Sequence, residues 1–173
     1  MFEWGTGNSV IRDHVSLWEE WLWLEENEPP DEGEIEIETV HPGRQMTIIL
    51  VNPAQHEIQL SPHFRSGEFA SKGGTAEILI HKDLLEGLQR MREEIGKPMR
   101  ITSAFRPWEY NRLVGGAKWS RHLYGRAADV VVDGMSGHQI ADVARRIGRF
   151  KGIGISWRFC HVDVRDVAAE WRY

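Results

Sequence analysis

Cysteine is almost missing from this chain. Cys160 stands alone among 173 residues, so no intramolecular disulfide can form and no cage of thiolates can hold a structural metal. Long hydrophobic runs are missing too, since none approaches the roughly 20 residues a membrane-spanning helix needs. Residues 1–7 lack the basic start and apolar core of a secretory leader, so the chain reads as soluble and made in the cytoplasm. Positive charge is scarce at the front, where residues 1–60 carry thirteen Asp or Glu against two Arg, a net of −11. The remainder carries +6. A mildly basic second part suits an anionic partner or its own acidic N-terminal part. No aromatic–basic motif accompanies it, so no nucleic-acid partner is expected. With 41% hydrophobic and 27% charged residues, wholesale disorder is excluded.

Hydrophobic periodicity divides the chain into an acidic extension, 1–60, and a domain, 61–173. In the extension, residues 8–27 place Val10, Ile11, Val15, Trp18, Trp21 and Leu22 on one stripe and read as a helix. The breaker cluster 28–33 follows, then strand patterns at 34–40, 46–51 and 57–60 that suggest a small β-meander. In the domain, residues 80–95 predict an amphipathic helix stopped by Gly96, and Ser136 caps a second helix running to about Gly148. Strands are expected at 100–104, 127–132, 152–157 and 159–165, with a helical turn or two at 108–113. The fold class is therefore α+β, a small, largely antiparallel sheet flanked by helices.

Chemistry enters where polar residues interrupt apolar strands. Asp129 lies among Ala127, Ala128, Val130, Val131 and Val132, an expensive place for a carboxylate unless it is paired or bound to a metal. On the last strand His161 and Asp163 share one face while Cys160, Val162 and Val164 take the other. His122 sits in the loop just before Asp129. Two imidazoles and one carboxylate reaching a common point give three N/O ligands with one position open, the pattern of a catalytic zinc rather than a structural one.

These residues fall within a longer pattern. Residues 64–69 (Phe-Arg-Ser-Gly-Glu-Phe), 101–107 (Ile-Thr-Ser-Ala-Phe-Arg-Pro), 110–117 (Tyr-Asn-Arg-Leu-Val-Gly-Gly-Ala), 120–129, 152–154 and 161–165, then Trp171, resemble in order the M15 zinc peptidases. That family includes D-Ala-D-Ala carboxypeptidases and phage endolysins, and the resemblance runs over about residues 61–173. It implies a hedgehog/D-Ala-D-Ala peptidase-like fold with Zn2+ held by His122, Asp129 and His161 and water in the fourth place. It further implies that Arg106 stabilises the oxyanion beside the metal, and that Ser120 contacts a peptidoglycan peptide. Many members place Glu or Asp three residues before the last histidine ligand as general base, but here that residue is Arg158. A His two residues before that ligand serves in related sheets, and here it is Phe159. Asp163 is the substitute base, or else the carboxylate that orients His161; Glu68 and His138 are weaker candidates.

The implied activity is hydrolysis of peptidoglycan amide bonds next to a D-amino acid, as a carboxypeptidase or an endolysin-type endopeptidase. The cell wall would be reached after holin-type release. The missing acidic residue at 158 leaves open a second expectation, a zinc-containing module that grips cell wall, such as a phage structural component, without cutting it.

Overall fold

The computed structural model describes residues 59–74 and 78–173, together with the backbone of two strands, Ile11–Asp13 (β1) and Thr47–Val51 (β2). Most of the helix expected over 8–27, and the strand expected at 34–40, lie outside the described residues. Ile11–Asp13 corrects the start of that helix: these residues are extended and pair antiparallel with β2, Ile11 opposite Ile49. Cross-strand pairing there overrides the helical spacing.

After β2 come β3 (Gln59–Ser61), β4 (Phe64–Arg65), a 3-10 turn (Ser66–Phe69) and β5 (Ile78–His81). Helix α1 (Lys82–Ile95) leads to β6 (Met99–Ser103), and α2 (Trp108–Leu113) and a second 3-10 turn (Arg121–Tyr124) fill the loop before β7 (Ala127–Val132). Helix α3 (Gly137–Ile147), β8 (Gly152–Ile155), β9 (Cys160–Asp163) and β10 (Ala169–Arg172) complete the chain. The chain is α+β, as its patterning indicated. No helix among the described residues is long and apolar enough to cross a membrane.

A five-stranded sheet in the order β10-β8-β9-β7-β6 carries the domain. It is antiparallel except at β10, which runs parallel to β8. A second sheet orders β1-β2-β5, and β3 and β4 form a hairpin. Strands on either side of residue 60 therefore pair, β2 with β5, and β3, which spans it, pairs with β4. Two residues expected at the head of a helix, Ile80 and His81, belong to β5 instead. The helix starts two residues later, at Lys82, because the His81 ring accepts a hydrogen bond from the Asp83 N–H at 3.2 Å, the work of an N-cap. It stops at Gly96, whose φ of 65° is left-handed. Helix α3 begins on the expected cap, with Ser136 and Gln139 bonding each other's backbone N–H.

The core lies between α1, α3 and one face of the large sheet. Leu84, Leu85, Leu88 and Met91 of α1 meet Ile140, Ala141 and Ala144 of α3, and the layer beneath is Val130, Ile153, Ile155, Cys160 and Val162. All come from alternate positions of their strands, so the intervening residues emerge on the opposite face. That face holds Asp129, His161 and Asp163, and it positions the site.

Candidate metal centre

Register brings two candidate ligands together. Antiparallel pairing sets Asp129 of β7 directly opposite His161 of β9, and partners in such a pair share a face. The third arrives from the loop between β6 and β7. The 3-10 turn Arg121–Tyr124 presents His122 inward, and the Arg106 N–H bonds the His122 carbonyl at 3.1 Å, tying the loop to itself. One atom each from His122, Asp129 and His161 then lies within 4.8 Å of the others, and all three residues are buried.

The hydrogen bonds decide which atoms face the common point. His122 Nδ1 donates to the Ala104 carbonyl at 2.6 Å, which leaves the Nε2 lone pair directed inward. Nε2 lies 3.3 Å from Asp129 Oδ1 and 3.2 Å from His161 Nδ1, and His161 Nδ1 lies 2.8 Å from the same oxygen. His161 is turned so that its other nitrogen, Nε2, meets Asp163 Oδ2 at 3.1 Å. A lone pair aimed at a carboxylate 3.3 Å away requires a cation or proton between them. Ligands about 2.0–2.1 Å from a tetrahedral zinc stand about 3.3 Å apart, close to the spacings here. Two imidazoles and one carboxylate fit Zn2+, and the donor set leaves room for a fourth ligand.

Electrostatics agree. Burial lowers the His122 pKa more than the Asp129 hydrogen bond and charge restore, so this ring is neutral, as a metal ligand must be. Burial pushes the Asp129 carboxyl up, yet the His122 and His161 rings beside it outweigh it and hold the group well below the usual carboxylate range. Burial alone would lower His161 as well, but Asp129 and Asp163 flank it and together raise it. A metal on His161 Nδ1 would have to compete with a proton there.

Arg106 sits at the rim of the set. Its Nη2 donates to Asp129 Oδ2 at 2.6 Å and its Nε to Ser103 Oγ at 2.7 Å. Ser103 is the β6 residue paired with Asp129, brought there by a register shift after Ile101. Ser120 stands at the start of the turn that carries His122, two residues from that candidate ligand, and is half-buried. Asp163 is fully buried, lies against the ring nitrogen of His161 farther from the other ligands, and is gripped by Arg165. Burial pushes its carboxyl up, but hydrogen bonds from Arg165 and then His161 hold it well below the usual range.

Glu68 and His138 are not brought to the set. The exposed Glu68 carboxylate accepts the Arg65 backbone N–H at 2.9 Å in a capping box. His138 is exposed on α3, which covers the other face of the sheet. Arg158 stacks on Trp157, its guanidinium 3.9 Å from the ring centroid. Sequence reasoning missed Ala104 and Ser103, whose polar atoms aim His122 and Arg106. It also gave no part to Arg165. Gly152 and Gly154 were its available signal, because glycine inside a strand often marks a close approach. A Cβ on Gly152 would lie 2.1 Å from Asp163 Oδ2, and one on Gly154 would lie 2.7 Å from the Trp171 indole.

A family model described as Peptidase M15 matches residues 57–163. Over 62 residues the chain is 42% identical to the zinc D-Ala-D-Ala carboxypeptidase of Streptomyces albus G, a stretch covering 35% of this chain and 24% of that protein. The matched stretch thus spans about a quarter of that relative's length.

Proposed function

Because this chain belongs to the peptidase M15 family, we propose that it is a zinc-dependent peptidase of peptidoglycan peptides, cutting an amide next to a D-amino acid. The observation that carries the reading is the inward convergence of His122 Nε2, Asp129 Oδ1 and His161 Nδ1 with Arg106 at the rim. When bound there, zinc supplies a Lewis acid for the scissile carbonyl and brings the pKa of a coordinated water towards about 7.

The protein's own residues do the rest. His122 and His161 are held in fixed tautomers by Ala104 and Asp163, so their ligating nitrogens need no reorganisation. Arg106 carries a permanent charge and five donors, of which Nε and Nη2 each hold a protein acceptor. Its guanidinium is the group to stabilise negative charge developing on a substrate oxygen. Ser120, at the start of the ligand-bearing turn, is the proposed contact for the substrate peptide. Asp163 acts as the carboxylate that orients His161, a role favoured over general base by its full burial and its bonds to Nε2 and Arg165.

Carboxypeptidase and endolysin-type endopeptidase action both fit this machinery, and the products separate them: a released terminal D-amino acid, or a cut within the cross-bridge. The test is cleavage of purified muropeptides by zinc-loaded and chelator-treated protein. Turnover that requires zinc is expected; turnover indifferent to the chelator overturns the reading. One observation favours a second reading, a zinc-bearing cell-wall-binding module without turnover: the position of the usual acidic base is Arg158, stacked on Trp157. Retention on insoluble peptidoglycan with no cleavage by the zinc-loaded protein would select it.

A further inference from the structure

Behind the ligands lies a second set of contacts that ligation alone does not require. The buried Asp163 carboxylate that meets His161 Nε2 is itself held from the far side. Arg165 Nε reaches both oxygens, at 2.8 Å and 3.1 Å, and the Arg165 backbone N–H reaches Oδ1 at 3.1 Å. The guanidinium carbon of Arg165 stands 4.9 Å from the Trp171 ring centroid, within cation–π range. The same indole lies 5.1 Å from the His161 ring at 50°. Trp171 thus touches His161 directly and also the arginine that fixes its carboxylate. Neighbouring elements leave space for this arrangement: Gly154 pairs with both His161 and Trp171, Gly152 faces the Asp163 carboxylate, and a Cβ on either would force those side chains to shift. Strand β10, which delivers Trp171, is clamped to α3 by Arg145 and Glu170, with Arg145 Nε 3.1 Å from Glu170 Oε2.

We propose that Arg165 and Trp171 are positioning residues that brace His161 for its metal, Arg165 through the Asp163 carboxylate and Trp171 through the face of the imidazole. The inference rests on the metal-centre reading but not on any substrate. An imidazole free to swing about its side-chain bonds holds an ion less tightly than one fixed at two places. Arg165 fixes the carboxylate that sets ring rotation and tautomer. Trp171 closes the side of the ring towards β10.

The experiment is zinc affinity, measured by competition between the full chain and a chromophoric chelator with zinc chloride alone as the probe. Arg165→Gln and Trp171→Ala should each weaken zinc about tenfold, the low edge of what loss of a partner behind a ligand costs. Trp171→Phe, which keeps a flat ring on the imidazole, should restore most of the affinity. Arg165→Gln added to Asp163→Asn should cost nothing beyond Asp163→Asn alone, since the arginine acts through that carboxylate. Where Arg165→Gln does not fold, Arg165→Lys, which keeps the charge but loses the fork, should show a smaller loss of the same sign. Affinities of folded variants within twofold of the parent, or full additivity in the double variant, overturn the brace. A parent protein that holds no zinc overturns it too. Zinc weakening as expected with no muropeptide cleaved by the parent defeats the peptidase reading and leaves the brace standing. Cleavage by the parent with unchanged zinc affinity in the variants does the reverse.

Discussion

The two faces of the five-stranded sheet are built from alternate residues of the same strands, yet they obey different rules. Ala128, Val130, Cys160, Val162, Ile153 and Ile155 face the helices and are held by area removed from water, a non-directional force that tolerates exchange of one apolar shape for another. Asp129, His161 and Asp163 occupy the opposite face and are held by named partners at bonding distance. There the neighbours are kept small: Ala127 and Gly152 are both paired with Asp163. The period of two that separates the faces also separates the apolar core from the chemistry. Damage to the core face should therefore leave metal binding intact, and loss of a ligand should leave the core packed.

The sharpest test is at a ligand. His122→Ala should abolish zinc binding, with a loss of activity well beyond the roughly 100-fold that removing a partner behind a ligand costs. The domain should stay folded, because its core lies on the other face; metal analysis beside circular dichroism checks both. Ile140→Ala on the helix side should do the opposite. This side chain is fully buried, and truncating it should lower unfolding free energy by about 2–5 kcal/mol while zinc per folded molecule stays unchanged.

A buried polar group at the head of α1 gives a smaller effect with a sign set by pH. His81 is pulled from 6.5 to about 4, first by burial and then by the Arg126 charge. The folded ring stays neutral where the unfolded one takes up a proton. Stability present above pH 6.5 is therefore lost as pH falls towards 4, by on the order of 2–3 kcal/mol. His81→Asn keeps a cap acceptor for Asp83 and should flatten that part of the pH profile, read by denaturant midpoints. The smallest effect belongs to Cys160, buried on the helix side with its thiol pushed up to about 12, chiefly by burial. Thiol reagents at pH 8 should label it only when denaturant opens the fold, and labelling of the native protein would place that face in contact with solvent.

Much of this was legible from residue patterns where a local signal and the tertiary outcome agree. Ser136 marks the head of α3, and the apolar run at 127–132 marks β7. The clustering of the candidate ligands was legible because a carboxylate and a histidine in apolar strands need a reason to be there. Less came through where pairing at a distance decides. Ile78–His81 runs into α1 without a breaker, and only its partner β2 makes it a strand. Ala169–Arg172 is four residues long and becomes β10 by lying parallel to β8, a pairing no local pattern announces. The side of His161 that meets Asp163 depends on ring orientation, which spacing cannot give. Arg106 reaches Asp129 from a loop that begins after a register shift in β6.

The spread of the three ligands along the chain has a consequence for stability. His122 and His161 are 39 positions apart, and Asp129 and His161 are 32 apart. An ion shared among them would staple distant stretches of a chain whose lone cysteine offers no internal bridge. The unfolded chain holds no such preformed cradle, so each tenfold rise in free metal above the dissociation constant would add about 1.4 kcal/mol to the folded form. Resistance to heat and proteolysis in this protein would then become a reading of metal supply.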